Sequence, residues 1–276
     1  ANVEMPEAII GATGLGCQED SEKFLEALIK NDEQFLTPTS FIQSTHNTVA
    51  GQVALMLKCN AYNFTYCHRG FSFENALVDA ELTFAEERAN NVLVFGIDEM
   101  TAHTRQVFQR INWNVQEPIN VLNLLDNTTE GTVYGEGVAS FSLSSRKNEN
   151  TYGAVELVEM LYKPGQEAVK QKLGSIAKEH SVDLVLAGYN GDQKFDQFYP
   201  NLEEIFPNSS IGAFKHLVGE YHTASSFALW LACEVLADQH LPEVVQIKGK
   251  NKKEFNNILI YNHYNNLDHS FILLKK

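Results

Sequence analysis

The chain has 276 residues, 44% of them hydrophobic, enough to bury one large core or two fused smaller ones. Its 21 basic and 35 acidic side chains leave a formal net charge of −14, which argues against sequence-independent nucleic-acid binding, since neutralising phosphates needs a basic surface. Four scattered cysteines (Cys17, Cys59, Cys67, Cys233) show no CxxC spacing, and no apolar run approaches bilayer length. These features predict a reducing, cytoplasmic setting, no metal site and no membrane span. The opening "ANVEMPEAII" does not read as a signal peptide, and without an initiator Met it suggests a trimmed chain or a fragment.

Ala8 to Ile10 reads as a short strand ending in "GATGLG", whose GxxGxG spacing suits a strand-to-helix turn better than a dinucleotide loop. Asp20 to Lys30 predicts a helix. The chain breaks at Pro38 and continues as a helix over about Ser44 to Lys58, whose Ala50, Gly51 and Ala54 predict close, buried packing. "NFTY" (Asn63 to Tyr66) predicts a buried central strand. A corner of Cys67, His68, Arg69, Gly70 and Phe71 leads into a helix capped by Ser72, with Phe73, Ala76, Leu77, Ala80 and Phe84 at helical spacing. "VLVFGI" (Val92 to Ile97) is apolar on both faces, as in a strand covered by helices on both sides. An irregular stretch and a strand at about Val133 to Leu143 close the first half.

A polar hinge at Arg146 to Asn150 precedes a second half with the same rhythm. Its predicted elements are strand Ala154 to Leu161, helix Gly165 to Glu179, strand Val182 to Ala187, a helix around Asp196 to Phe206, an apolar helix Thr223 to Asp238, and strands Asn257 to Tyr261 and His269 to Leu274. The lysine-rich "IKGKNKKEF" between them reads as a solvated loop, with a docking patch for an acidic partner as the alternative. The expected organisation is two similar α/β halves, 1–148 and 149–276.

The candidate reactive groups lie in three places. Cys67 sits near a helix start beside His68 and Arg69, which could lower its pKa; the alternative is a small buried hydrophobe. His216, His222, His263 and His269 fall in two later segments, with His222 and His263 the best partners for such a thiol, and their spacing matches no common metal motif. Glu136 in "GEG" reads as a turn residue.

"PTSFIQSTHNTVAGQVAL", "VLVFGIDE", "EGTVYGEGVASFSL" and "GAFKHLVGEYHTASSFALWLACEVLADQHLP", in that order, resemble the β-ketoacyl-ACP synthases, the ketosynthase branch of the thiolase-like fold. The resemblance implies an α/β, thiolase-like fold of two similar halves in a layered α-β-α-β-α core, with the family's first strand missing upstream of Ala8. It also implies an acylated cysteine at a helix N-terminus, where the dipole favours the thiolate, and two histidines that stabilise the carbanion left by decarboxylation. Counting back from "VLVFGIDE" puts Phe71, or at most Gly70, at the nucleophile position. The first histidine falls on Gly188 of "GYNGD", with Asp196 matching the family's later Asp. The lysine is kept as Lys215. The second histidine falls on Glu220, or on Tyr221 if an insertion lies earlier, and Tyr264 falls near the gating Phe.

The expectation is therefore a non-catalytic subunit of chain-length-factor type in fatty-acid or polyketide biosynthesis, with polyene-pigment pathways as a suggested setting. Such a subunit shapes the acyl tunnel of a partner ketosynthase and needs no cofactor. Its expected partners are a ketosynthase in a heterodimer, or a second copy, and an acyl carrier protein, with Asn63 to Tyr66 in the interface. The alternatives are a divergent condensing enzyme that uses Cys67 with His222 and His263, and an acyl-carrier or lipid-binding scaffold.

Overall fold

A computed structural model of the chain describes residues 5–115 and 119–276; residues 1–4, the start of the stretch read against a signal peptide, lie outside them. The chain divides into two compact units. The first runs up to Gln106 and adds Gly135–Arg146 and Tyr221–Thr223. Its elements are β1 (Ala8–Ala12), α1 (Gln18–Lys30), α2 (Pro38–Gln43), α3 (Thr48–Leu57), β2 (Tyr62–Tyr66), α4 (Ser72–Ala85), β3 (Asn91–Asp98), α5 (Ala102–Arg110, which runs on into the second unit) and β4 (Gly137–Ser144).

The sheet order is β2-β1-β3-β4, with β1 parallel to β2 and β3, and β4 antiparallel to β3. Alternation along the strands explains why β1 and β3 are apolar on both faces. Ile9 and Phe95 pack with Ala50 of α3 and with Val49, Val53, Leu93 and Ile97. The opposite set, including Ile10 and Val94, is also fully buried, and α4 packs on the strands with Phe73, Ala76, Leu77 and Ala80 inside.

Several expectations fail here. The helix expected over about Ser44 to Lys58 is α3, but it is not buried: Ala50 is its one buried residue and Leu55 and Met56 are 80% and 83% exposed, so only one face meets the sheet; the short helix α2 precedes it, starting at Pro38 where a break was expected. "NFTY" is not a central strand. β2 ends the sheet, and Tyr62, Asn63 and Phe64 are exposed. Aromatic and β-branched composition suits any pleated surface and does not say how many neighbours a strand has. The stretch read as irregular contains α5, and β4 starts at Gly137 rather than Val133.

The second unit contains β5 (Ala154–Tyr162), α6 (Gln166–Glu179), β6 (Leu184–Ala187), α7 (Gln193–Asp196), α8 (Leu202–Ile205), β7 (Ser210–Ala213), α9 (Lys215–Val218), α10 (Ala224–Asp238), β8 (Gln246–Gly249), β9 (Asn257–Tyr264) and β10 (Asp268–Lys275). Its sheet order is β5-β10-β9-β6-β7-β8. The central run β7-β6-β9-β10 repeats β2-β1-β3-β4 in order and direction: parallel, parallel, antiparallel. Val169, Leu173 and Ile176 of α6 pack on Val185, Leu259, Tyr261, Phe271 and Leu273.

The helix expected over Asp196 to Phe206 is two short helices, α7 and α8, with Pro200 between them. β7 was too short to read, and the first residues of the lysine-rich run form β8 rather than loop. No helix among the described residues is long and apolar enough to cross a membrane.

Candidate functional site

In the first unit, β2 runs out at Tyr66 and a single 3₁₀ turn, Arg69–Phe71, delivers the chain to α4. Ser72 ties the corner: its hydroxyl accepts from the His68 N–H (2.8 Å) and donates to the Arg69 carbonyl (2.8 Å). Phe71 stands at the N-cap of α4, buried, with the His68 ring edge-on at 5.9 Å. An apolar ring thus occupies the helix start, and Gly70 beside it carries no side chain.

Cys67 lies before the turn, mainly exposed, and its thiol donates to the Gly14 carbonyl at 3.3 Å. Burial of the sulfur, reinforced by the Asp98 charge, pushes the thiol pKa up, the reverse of what a resting thiolate needs. His222 is buried against the same glycine: a Cβ on Gly14 would lie 2.1 Å from His222 Cγ. Cys67 and His222 thus share Gly14 as a neighbour. His263 belongs to the second unit.

Asp98, at the end of β3, is the hub of this region. Its Oδ1 accepts from the Thr13 hydroxyl (3.0 Å) and Gly14 N–H (2.7 Å), and its Oδ2 from the Thr223 N–H and hydroxyl (both 2.9 Å). In the sequence this residue served only as part of a landmark, because its partners are remote along the chain. Glu136 accepts from the Met100 N–H at 2.8 Å, a long-range contact that links the start of β4 to the end of β3 rather than a turn.

Beside Asp98 the unit holds a cavity of about 230 Å³. Ala12, Val49, Ala50, Phe95 and Ile97 supply its apolar wall, and Thr13, Cys17, Glu19, Asp20, His46 and Glu99 its polar one. The Cys17 thiol is also pushed up, first by burial and then by Glu99 and Asp20.

In the second unit the loop after β6, Gly188 to Asp192, is held by Asp196, whose carboxylate accepts from the Asn190 N–H (3.2 Å) and Gly191 N–H (2.8 Å). Burial raises the Asp196 pKa to about 6 despite these donors. Gly188 is fenced in: a Cβ there would meet Asn262 Oδ1 at 2.3 Å and the Tyr199 hydroxyl at 2.8 Å.

Lys215 is completely buried, and its ammonium donates to Glu220 Oε2 (2.7 Å) and the His263 carbonyl (3.2 Å). Asn190 Nδ2 donates to the same Glu220 oxygen at 2.7 Å, and the Glu220 N–H bonds the Val133 carbonyl. Burial pushes the Glu220 carboxyl up, opposed by the Lys215 charge. Tyr221, the other position for the second histidine, is buried in the first unit, where its hydroxyl would lie 2.7 Å from a Cβ on Gly137.

Burial favours the neutral imidazole at the other three candidate histidines, His216, His263 and His269. His263 is stacked at 4.3 Å under Tyr199, and burial, then the neighbouring His269 and Lys215, push its pKa well down. Burial takes His269 to about 4, between Tyr261 and Asn266. His216 bonds the Val244 carbonyl at 2.8 Å, and burial lowers it too. Tyr264 is buried and hydrogen-bonded to Tyr134. Among the described residues no group of His, Cys, Asp and Glu side chains is arranged to hold a metal ion.

A model of the N-terminal domain of beta-ketoacyl synthases matches residues 16–164. No curated protein matches. Among the similar solved structures, three illustrate the likeness. The ishigamide ketosynthase/chain length factor has a TM-score of 0.76 and 12% identity, covering 100% of this chain and 76% of that one. A beta-ketoacyl synthase from Burkholderia phymatum STM815 has a TM-score of 0.75 and 14% identity, covering 100% and 78%. A type II polyketide synthase acyl-carrier protein in complex with its ketosynthase, bound to the hexaketide, has a TM-score of 0.74 and 13% identity, covering 99% and 77%. Identities this low speak for the fold alone, and the fold is that of the thiolase-like ketosynthases.

Proposed function

The chain belongs to the beta-ketoacyl synthase family, and from that premise we propose that it is a non-catalytic subunit of chain-length-factor type, which shapes the acyl site of a partner ketosynthase. The observation that carries this reading is Gly188, the position matched to the first catalytic histidine, where even a methyl group would collide with Asn262 and Tyr199. Two others point the same way. Phe71 puts a ring where an acylated thiol would stand. Glu220 neutralises Lys215, so the pair offers no net positive charge to a developing enolate.

The partner face on this reading is the open edge of β2, where Tyr62 and Phe64 are 38% and 45% exposed. Exposed aromatic side chains on an unpaired strand are what a paired-strand interface would cover. The first-unit cavity, apolar on one side, suits the end of an acyl chain. The four unpaired thiols fit a cytoplasmic setting, and an acyl carrier protein would deliver the chain to the partner. Polyketide or fatty-acid synthesis, including polyene pigments, is the proposed context.

One contact favours a second reading. Cys67 and His222 both touch Gly14, so a divergent condensing enzyme could use that thiol and imidazole. A single experiment separates the two. The protein is incubated with acyl-loaded carrier protein, with and without an active ketosynthase partner, and its intact mass is recorded. A non-catalytic subunit gains no acyl mass and co-purifies with the ketosynthase. An acyl adduct that disappears in Cys67→Ala would overturn the first reading, and failure to co-purify with any ketosynthase would leave an acyl-binding scaffold.

A further inference from the structure

In a chain of net charge −14, residues 248–253 hold four lysines and no acid. The structure gives this run a definite shape. β8 pairs with β7 on one side and ends the six-stranded sheet on the other. Gly249 then turns the chain with φ +81°, and the following loop is fastened down: the Lys250 N–H donates to the Ser209 carbonyl (2.9 Å), and Lys252 pairs with Asp183 at 2.8 Å. Lys248, Lys250 and Lys253 are exposed and form no ion pair among the described residues. All four residues of β8 line an open cleft of about 700 Å³, whose walls include His240, Asn251 and Lys253 and a single carboxylate, Glu243.

We propose that this edge is a docking site for an acidic, extended segment of a partner protein, which adds to β8 as a strand and places its carboxylates against Lys248, Lys250 and Lys253. The two features of the cleft select this occupant together. Unpaired main-chain groups of an edge strand are satisfied by another strand, and the lysines by carboxylates on it. A compact anion would meet the lysines and leave the strand edge unused. A nucleic acid would meet the lysines and then the field of an otherwise acidic chain. Lysines on an edge also stop two copies of the same strand from pairing, since like charges would face one another. They exclude self-association while admitting a segment of opposite charge. This inference does not depend on whether the chain is catalytic.

The test uses the full chain and fluorescein-labelled peptides of about eight residues. One alternates Glu and Val; a second alternates Glu and Pro, with the same charge and spacing but half the N–H donors. Anisotropy is read at about 50 mM and about 300 mM salt. The Glu-Val peptide binds, the higher salt weakens it, and the Glu-Pro peptide binds clearly less well. The triple variant Lys248→Glu/Lys250→Glu/Lys253→Glu loses about tenfold or more in affinity, the sum expected of a few exposed ion pairs. Lys170→Glu/Lys178→Glu on α6 does not. A triple Lys→Gln variant gives the same direction should the Glu variant fold poorly. The proposal is overturned if the Glu-Val peptide does not bind at low salt, or if charge reversal leaves binding unchanged. Equal binding of the two peptides, or complete displacement by inorganic phosphate at about 10 mM, would also overturn it.

Discussion

Replacing Glu220 with leucine should be among the most damaging single changes in the second unit. Lys215 is completely buried, so no water can take over the carboxylate's role. Its ammonium would keep only the His263 carbonyl at 3.2 Å, and Asn190 Nδ2 would lose its acceptor as well. Removing one partner of a buried ion pair costs about 3–5 kcal/mol. In a domain of this size that lowers Tm by roughly 6–12 °C. Lys215→Met should cost less, because the stranded Glu220 carboxyl can take up a proton, the direction in which burial already pushes it. Its folded pKa then lies above the unfolded value, so the stability is fully present below the unfolded pKa and lost as pH rises. The Lys215→Met penalty therefore grows with pH. The double variant Lys215→Met/Glu220→Leu has no stranded charge and should lie within about 1–2 kcal/mol of the parent, the remainder being the orphaned Asn190 donor. Urea and thermal unfolding of all four proteins at constant pH give the cycle. If Glu220→Leu costs under about 1 kcal/mol, or if the two single losses simply add in the double variant, the pair is not the buried ion pair described here.

Four further outcomes are expected. Gly188→Ala loses about 1–3 kcal/mol by overpacking, and trimming Asn262 to Ala in the same chain recovers part of it in chemical denaturation; an unchanged Gly188→Ala midpoint would show that the pocket yields freely. Asp196, raised from an ordinary 3.8 to about 6, holds its proton more tightly folded than unfolded, so its contribution is complete below pH 4 and is lost as pH rises through 6. The difference amounts to about 3 kcal/mol, and Asp196→Asn, which cannot lose a proton, should gain on the parent in Tm between pH 4 and 7. Cys67, with its thiol pushed up, should alkylate with iodoacetamide more slowly than a free cysteine at neutral pH and accelerate in alkali, as peptide mass mapping can follow; faster labelling would favour the catalytic reading. Phe64→Lys on the open edge of β2 should weaken assembly by about tenfold or more in light scattering while circular dichroism stays unchanged, since burying such a side chain is worth about 1.5–3 kcal/mol.

Much of this fold was legible because its signals are local. The doubly apolar "VLVFGI" announced a strand covered on both sides, and the Phe73, Ala76, Leu77, Ala80 spacing announced α4. The place of each strand in its sheet was not local, and the "NFTY" strand went wrong for that reason: nothing within it says that one of its sides is open. β7 is four residues long, too short for a period to repeat. At the candidate site, counting along the chain against the family's motifs singled out Phe71, Gly188, Lys215 and Glu220 as the matched positions. It could not find what crowds Gly188, because Asn262 and Tyr199 come from other elements, nor that Asp98 gathers Thr13, Gly14 and Thr223. A residue's type is written at its own position; its burial and partners are written elsewhere in the chain.

On the proposed reading, Phe71, Gly188 and Glu220 stand at former catalytic positions, and how firmly the surrounding structure has closed over them bears on how the proposed loss of chemistry is to be understood. A site that lost its catalytic groups by drift alone would keep the space and the partners those groups used. Here Phe71 is buried at a helix start whose corner is fastened by Ser72. Gly188 has neighbours inside the radius of a methyl group, and Glu220 supplies the counter-charge for a lysine that has no access to water. Placing a histidine at Gly188 requires moving Asn262 and Tyr199, and placing one at Glu220 strands Lys215. Each reversal therefore carries a folding cost separate from any catalytic gain. On the proposed reading the former catalytic positions now help hold the fold together, so reinstalling the missing residues one at a time would destabilise the protein before it could make it an enzyme.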